Sequence, residues 1–127
     1  MRPDNAAATR ILVIDDNADM RGVLEALLVH LGYDVETAAD GSQALGIHRV
    51  RQVAIVITDI FMPGTEGMET IEAFKSEWPW VRVIAMSGGG ETAKRSYLEV
   101  ARQVGADATL QKPFSLETLR KALDPRH

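Results

Sequence analysis

Four stretches of this chain carry a nearly unbroken apolar run into a polar residue. They are Ile11-Leu12-Val13-Ile14 before Asp15-Asp16, Val56-Ile57-Thr58 before Asp59, Val83-Ile84-Ala85-Met86 before Ser87, and Leu110-Gln111 before Lys112. Short runs rich in Val and Ile read as strands buried on both faces. Between them the apolar positions fall at helical spacing. Strand 1 is expected over about Arg10 to Asp15. Helix 1 follows, with Met20, Val23, Leu24, Leu27, Leu28 and Leu31 on one face and Gly32 as its stop. Strand 2 is Asp34 to Ala38. Asp40, with Gln43 three residues on, resembles a capping box at the start of helix 2. Strand 3 runs from Ala54 to Thr58, and Pro63-Gly64 makes a turn. Met68, Ile71, Phe74 and Trp78 mark the inner face of helix 3, which Pro79 ends. Strand 4 is Arg82 to Met86, and Gly88-Gly89-Gly90 is a flexible loop. Helix 4 extends from about Glu91 to Val104, with Gly105 closing it. Strand 5 is Ala108 to Gln111. Ser115 caps helix 5, whose apolar face is Leu116, Leu119, Ala122 and Leu123.

Five alternating strand–helix units predict an α/β fold, a doubly wound, flavodoxin-like parallel sheet with helices on both faces. Strand 2 is the most polar and suits an edge; it is also the only strand with no chemically capable residue at its end. Both facts fit the order 2-1-3-4-5. That order puts the switch point between strands 1 and 3, where ligands bind in such sheets. The separation of Asp16 from Asp59 holds two repeats of roughly 20–30 residues, and those to Ser87 and Lys112 one each. Three carboxylates, a hydroxyl and an ammonium therefore converge on one edge.

The length of 127 residues fits one domain, expected over 10–124, with a disordered arm at 1–9 and a tail at 125–127. No apolar run approaches the ~20 residues that cross a membrane, and the start lacks a signal-peptide pattern. There is no cysteine, which excludes disulfides and thiolate metal sites. The net charge is −4 and the basic residues are scattered, so no nucleic-acid footprint is expected. A cytoplasmic location is expected.

Clustered carboxylates are costly. Two like charges ~4 Å apart repel by about 1 kcal/mol in water and about 4 kcal/mol at an effective dielectric of ~20. Lys112 can offset one charge, and a hard divalent cation such as Mg²⁺ (Mn²⁺ is the alternative) the rest. Asp59 is then the natural nucleophile for an aspartyl phosphate. Lys112 and the ion would hold two phosphoryl oxygens, and Ser87 Oγ the third. Taken singly, Asp15 and Asp16 could merely cap helix 1, and Ser87 could be an ordinary loop serine. All four sites at strand ends of one sheet favour the chemical reading.

These motifs, with Met62-Pro63-Gly64 after Asp59 and Lys112-Pro113-Phe114, make the chain resemble a response-regulator receiver domain of bacterial two-component signalling, of the chemotaxis-regulator kind, over residues 9–123. The resemblance implies that Asp59 accepts a phosphoryl group from a phosphohistidine of a sensor histidine kinase or histidine phosphotransfer protein. It implies Mg²⁺ on Asp16, Asp59 and the Phe61 carbonyl, with Asp15 reaching it through water. Ser87 would follow the phosphoryl group as a switch, Lys112 would pair with it, and the bond before Pro113 would be cis. Catalysis would be self-directed only, so the chain is not expected to be an enzyme toward external substrates. A downstream protein would dock on the face of helix 4, strand 5 and helix 5, with the chain a monomer or weak dimer.

Three features depart from the family pattern. The aromatic switch position is Thr109. Phe61, two after Asp59, is expected to slow attack of water on the acyl phosphate, and Gly89 occupies the partner position. Ser87 to Lys112 is a few residues longer than in many receivers, with the excess expected in Gly88-Gly89-Gly90 and the start of helix 4. That glycine run lacks the P-loop or GxGxxG spacing of a phosphate cradle and reads as a mobile loop. His30, His48 and His127 read as surface residues, Trp78 as core and Trp80 as packed under a loop. Tyr97, Leu98, Val100, Ala101 and Val104 give helix 4 a broad apolar face, part of it free for a partner. Rivals are an aspartyl-phosphate phosphatase, against which Phe61 stands where a second Asp belongs, and a flavin binder, against which the acidic strand-1 loop stands. A pseudo-receiver that binds protein without phosphorylation is a third. The ending at Pro125-Arg126-His127 favours a stand-alone module over a receiver excised from a hybrid kinase or larger regulator.

Overall fold

The computed structural model describes residues 9–60, 66–88 and 92–126, excluding the side chains of 66 and 92–96. The expectations for Phe61, the Pro63-Gly64 turn, Gly89-Gly90, His127 and the first eight residues lie outside them. The strands are β1 (Arg10–Ile14), β2 (Asp34–Ala38), β3 (Ile55–Asp59), β4 (Arg82–Gly88) and β5 (Ala108–Lys112). The helices are α1 (Ala18–His30), α2 (Gly41–Val50), α3 (Glu66–Glu77), α4 (Thr92–Gln103) and α5 (Leu116–Leu123). All strand pairs are parallel, in the order β2-β1-β3-β4-β5. Gly88, placed in a loop by its sequence, ends β4. Thr9, assigned to the arm, accepts a hydrogen bond from the Asp34 amide at 3.0 Å and is held to the sheet.

Alternation along the central strands divides the core in two. Leu12, Ile14, Val56, Val83 and Ala85 face a layer that includes Ala44, Ile71, Phe74 and Ala101. Ile11, Val13, Ile57, Ile84 and Met86 face Leu24, Leu28, Leu119 and Leu123. Successive residues point to opposite faces of a strand, so an apolar run supplies both layers. Gly32 and Gly105 close α1 and α4 at φ +100 and +125, conformations that only glycine adopts without strain. Asp40 caps α2 by accepting from the Gln43 amide at 2.8 Å. The return arm of the expected box goes one residue early, from the Ala39 amide to Gln43 Oε1.

Four side chains sit where sequence reasoning did not put them. Val23 is 55% exposed and Leu116 40% exposed, each at the margin of its helical stripe. Trp80, expected under a loop, is 57% exposed. His48, expected on the surface, is fully buried. Its ring meets Trp78 edge-on at 4.3 Å and Phe74 at 5.3 Å, and its Nδ1 accepts from the Val53 amide at 3.0 Å. That bond requires the neutral ring. Desolvation, and next the neighbouring Arg49, push the His48 pKa below its ordinary 6.5. A depressed folded pKa means the unfolded chain binds more protons as pH falls below 6.5. The stability this group contributes is present above that value and lost below it. Urea unfolding between pH 7 and ~5 is expected to show this loss in the wild type and a flatter dependence in His48→Leu.

Candidate functional site

Sheet register builds the site. Ile14 pairs with both Ala38 and Thr58, so Asp15 and Asp59 leave neighbouring strands at the same edge. Asp59 pairs with Met86, immediately before Ser87, and Gly88 pairs with Lys112. Four adjacent strand ends thus present Asp15, Asp59, Ser87 and Lys112 together. The ladder continues past the strands through Asp15 N–H to Ala38 O at 3.1 Å and Ile60 N–H to Met86 O at 3.0 Å.

Asp15, Asp16 and Asp59 each offer a carboxylate oxygen, and these atoms lie within 4.8 Å of one another. Asp15 and Ser87 are fully buried, Asp59 nearly so, and Asp16 is exposed. Lys112 Nζ stands 3.3 Å from both Asp15 Oδ2 and Asp59 Oδ2. One ammonium thus bridges two carboxylates and leaves the triad with surplus negative charge. An all-oxygen, acidic donor set of this kind suits a hard divalent cation. The cavity beside it, about 440 Å³, is also lined by Asn17, Asp19, Met20 and Val23. Exposed Val23 is therefore on the rim of the site. Among the described residues, Ser87 Oγ has only a long contact to Gly88 O at 3.5 Å. Thr109, the position of the missing aromatic, accepts from Arg102 Nη2 of α4 at 3.1 Å. The Lys112–Pro113 bond is cis, as the resemblance implies.

The helix-capping reading of Asp15 and Asp16 is displaced by Asn17. Its Oδ1 accepts from the Met20 amide at 3.0 Å, which makes Asn17 the N-cap of α1. Asp15 Oδ1 accepts from the Asn17 amide at 2.9 Å, which leaves Oδ2 for Lys112. Arg21 Nη1 donates to the Asp15 carbonyl at 2.7 Å and pins the same turn. Neither Asn17 nor Arg21 was singled out from sequence. An Asn just before an apolar-periodic stretch is the cap signal that could have found the first; nothing local marks the second.

Gly67 is a second support missed from sequence. A Cβ there would lie 2.6 Å from Ile60 Cα and 2.9 Å from the Asp59 carbonyl oxygen. Both are backbone atoms, so α3 can approach the Asp59 segment this closely only through glycine. Gly67→Ala is expected to cost about 1–3 kcal/mol in urea unfolding. The shifted backbone carries Asp59, so the same change would displace its carboxylate within the acidic cluster.

The family model described as the response regulator receiver domain matches residues 11–124. "Sporulation initiation phosphotransferase F" of Bacillus subtilis is 31% identical over 114 residues, which cover 90% of each chain. "Probable transcriptional regulator ycf27" of Porphyra purpurea is 36% identical over 110 residues, 87% of this chain but only 44% of that protein. The chain thus spans less than half the length of that relative. Among solved structures, the chemotaxis protein CheY4 of Vibrio cholerae superposes with a TM-score of 0.79 at 31% identity, covering 91% of this chain and 96% of that one. The fold, the acidic edge and the matched extent agree: this chain belongs to the response-regulator receiver domain family.

Proposed function

We propose that the chain is the phosphoacceptor module of a two-component phosphorelay, spanning residues 10–124. In this reading Asp59 takes a phosphoryl group from a phosphohistidine of a sensor histidine kinase or histidine phosphotransfer protein. A protein partner on the α4–β5–α5 face then reads the change. The observation that carries this is Lys112 Nζ at 3.3 Å from two carboxylates of a triad whose oxygens lie within 4.8 Å. Asp16 and Asp59 would hold Mg²⁺, with Asp15 reaching it through water and the Phe61 carbonyl added on the family resemblance, and the bound ion would supply neutralisation of phosphoryl charge.

The remaining work falls to the chain's own side chains. An Asp59 carboxylate oxygen attacks phosphorus as the bond to the imidazole nitrogen breaks, and the electron pair returns to the ring. Lys112 pairs with an oxygen of the transferred group, and the Ser87 hydroxyl donates to another. Asp15, buried and held by Asn17 and Lys112, keeps the ammonium in place before and after transfer. Later hydrolysis of the acyl phosphate resets the module, and no external substrate is turned over.

Intact-mass analysis after incubation with acetyl phosphate tests this. A single phosphoryl adduct is expected with Mg²⁺ and none after chelation by EDTA. If no adduct forms and beryllofluoride leaves the protein unperturbed, the chain is a phosphorylation-independent binding module and the proposal fails.

A further inference from the structure

A second groove, remote from the acidic edge, lies along the outer edge of the sheet. Its volume is about 260 Å³, and its lining includes Arg82, Arg102 and Lys121 with Thr109 and Thr118. β5 is an edge strand, and α4 and α5 flank it. The groove is cationic on a chain whose net charge is −4. Among the described residues, none of the three cations has a carboxylate partner. The one acid in the lining, Asp107, is already paired with Lys75 Nζ at 2.9 Å and accepts from the Val83 amide at 2.8 Å.

The three cations differ in setting. Arg82 is pinned by its Nε–H to the Ala122 carbonyl at 2.9 Å, and among the described residues its buried Nη2 has no hydrogen-bond partner. Half-buried in the lining, it adds positive potential to the groove. Arg102 and Lys121 are exposed, each in the last turn of its helix. A helix C-terminus accounts for roughly half a negative charge. Two such ends therefore leave most of the three positive charges uncompensated.

We propose that this groove receives an acidic segment of the protein partner, its carboxylates meeting Arg102 and Lys121 beside the half-buried Arg82; this rests on the receiver reading above. Because Arg102 also donates to Thr109 at 3.1 Å, docking competes for a side-chain bond that joins α4 to the β5 position where an aromatic is usual. Occupancy of the groove is thereby linked to the placement of α4.

The test uses fluorescence anisotropy of a short labelled oligoglutamate peptide and a matched oligolysine peptide on the full chain. Oligoglutamate should bind and oligolysine should not. Arg102→Glu with Lys121→Glu should weaken oligoglutamate about tenfold or more. A control with the same net charge, Arg49→Glu with Arg51→Glu on the remote α2 side, should leave it unchanged. Equal binding of the two peptides, or equal loss in the control, overturns the proposal. So does light scattering that shows a wild-type dimer dissolved by the Arg102 and Lys121 reversals, which would assign the face to a second copy. Mg²⁺-dependent adduct formation is read on the same samples. Its absence from the wild type defeats the phosphoacceptor reading and this one with it; its presence with no peptide contrast defeats this one alone.

Discussion

Asp59→Asn is expected to form no phosphoryl adduct from acetyl phosphate or from a phosphohistidine donor, under conditions that convert the wild type. The amide keeps the shape of the side chain but has no anionic oxygen to attack phosphorus. Folding should survive. Like charges ~5 Å apart at an effective dielectric of ~20 repel by about 3 kcal/mol, and the attraction lost to Lys112 at closer range is of similar size. The relief and the loss largely offset, so the urea midpoint without divalent ion should move by no more than about 1–2 kcal/mol equivalent. Unchanged stability with complete loss of the adduct separates a nucleophile from a structural acid. An adduct that persists in Asp59→Asn would place the acceptor elsewhere.

Lys112→Ala should act on stability and chemistry in opposite senses with respect to Mg²⁺. Without the ion, the variant leaves buried Asp15 and nearly buried Asp59 without the cation that bridges them. Removing one partner of a buried ion pair typically costs about 3–5 kcal/mol, and a site open on one side belongs at the low end. With Mg²⁺ much of that loss should return, because the extra negative charge strengthens cation binding. Thermal shifts on adding Mg²⁺ are therefore expected to be larger in Lys112→Ala than in wild type. Adduct formation should nonetheless fall by about 100-fold, the usual scale for deleting one positioned group that stabilises developing charge. Lys112→Arg should recover stability better than rate, since a planar fork does not place charge where a compact ammonium does.

The strands and the site were legible in sequence for one physical reason. A central parallel strand must be apolar on both faces, so its run stops abruptly where the chain reaches the functional edge. Asp15, Asp59 and Ser87 all stand at such stops, and polar β2 announced itself as an edge. Helical faces were less legible at their margins. Val23 and Leu116 keep helical spacing with buried neighbours, yet each helix buries a narrower stripe than its apolar residues could cover. His48 was misread because its type suggests water. Its spacing did not: four residues after Ala44, it shares that helix's buried stripe, and aromatic neighbours plus one amide donor satisfy it there. Arg21 and Gly67 act through tertiary approaches to Asp15 and Asp59, and no local pattern encodes those.

The central claim is that residue 59 carries the phosphoryl group. Reduction of the phosphorylated chain with borohydride converts an aspartyl phosphate to homoserine, and peptide mass mapping then locates it. Homoserine at position 59 alone, formed only when Mg²⁺ was present during phosphorylation, is the expected result. A borohydride-resistant phosphate on Ser87, or homoserine at Asp15 or Asp16, would contradict the account.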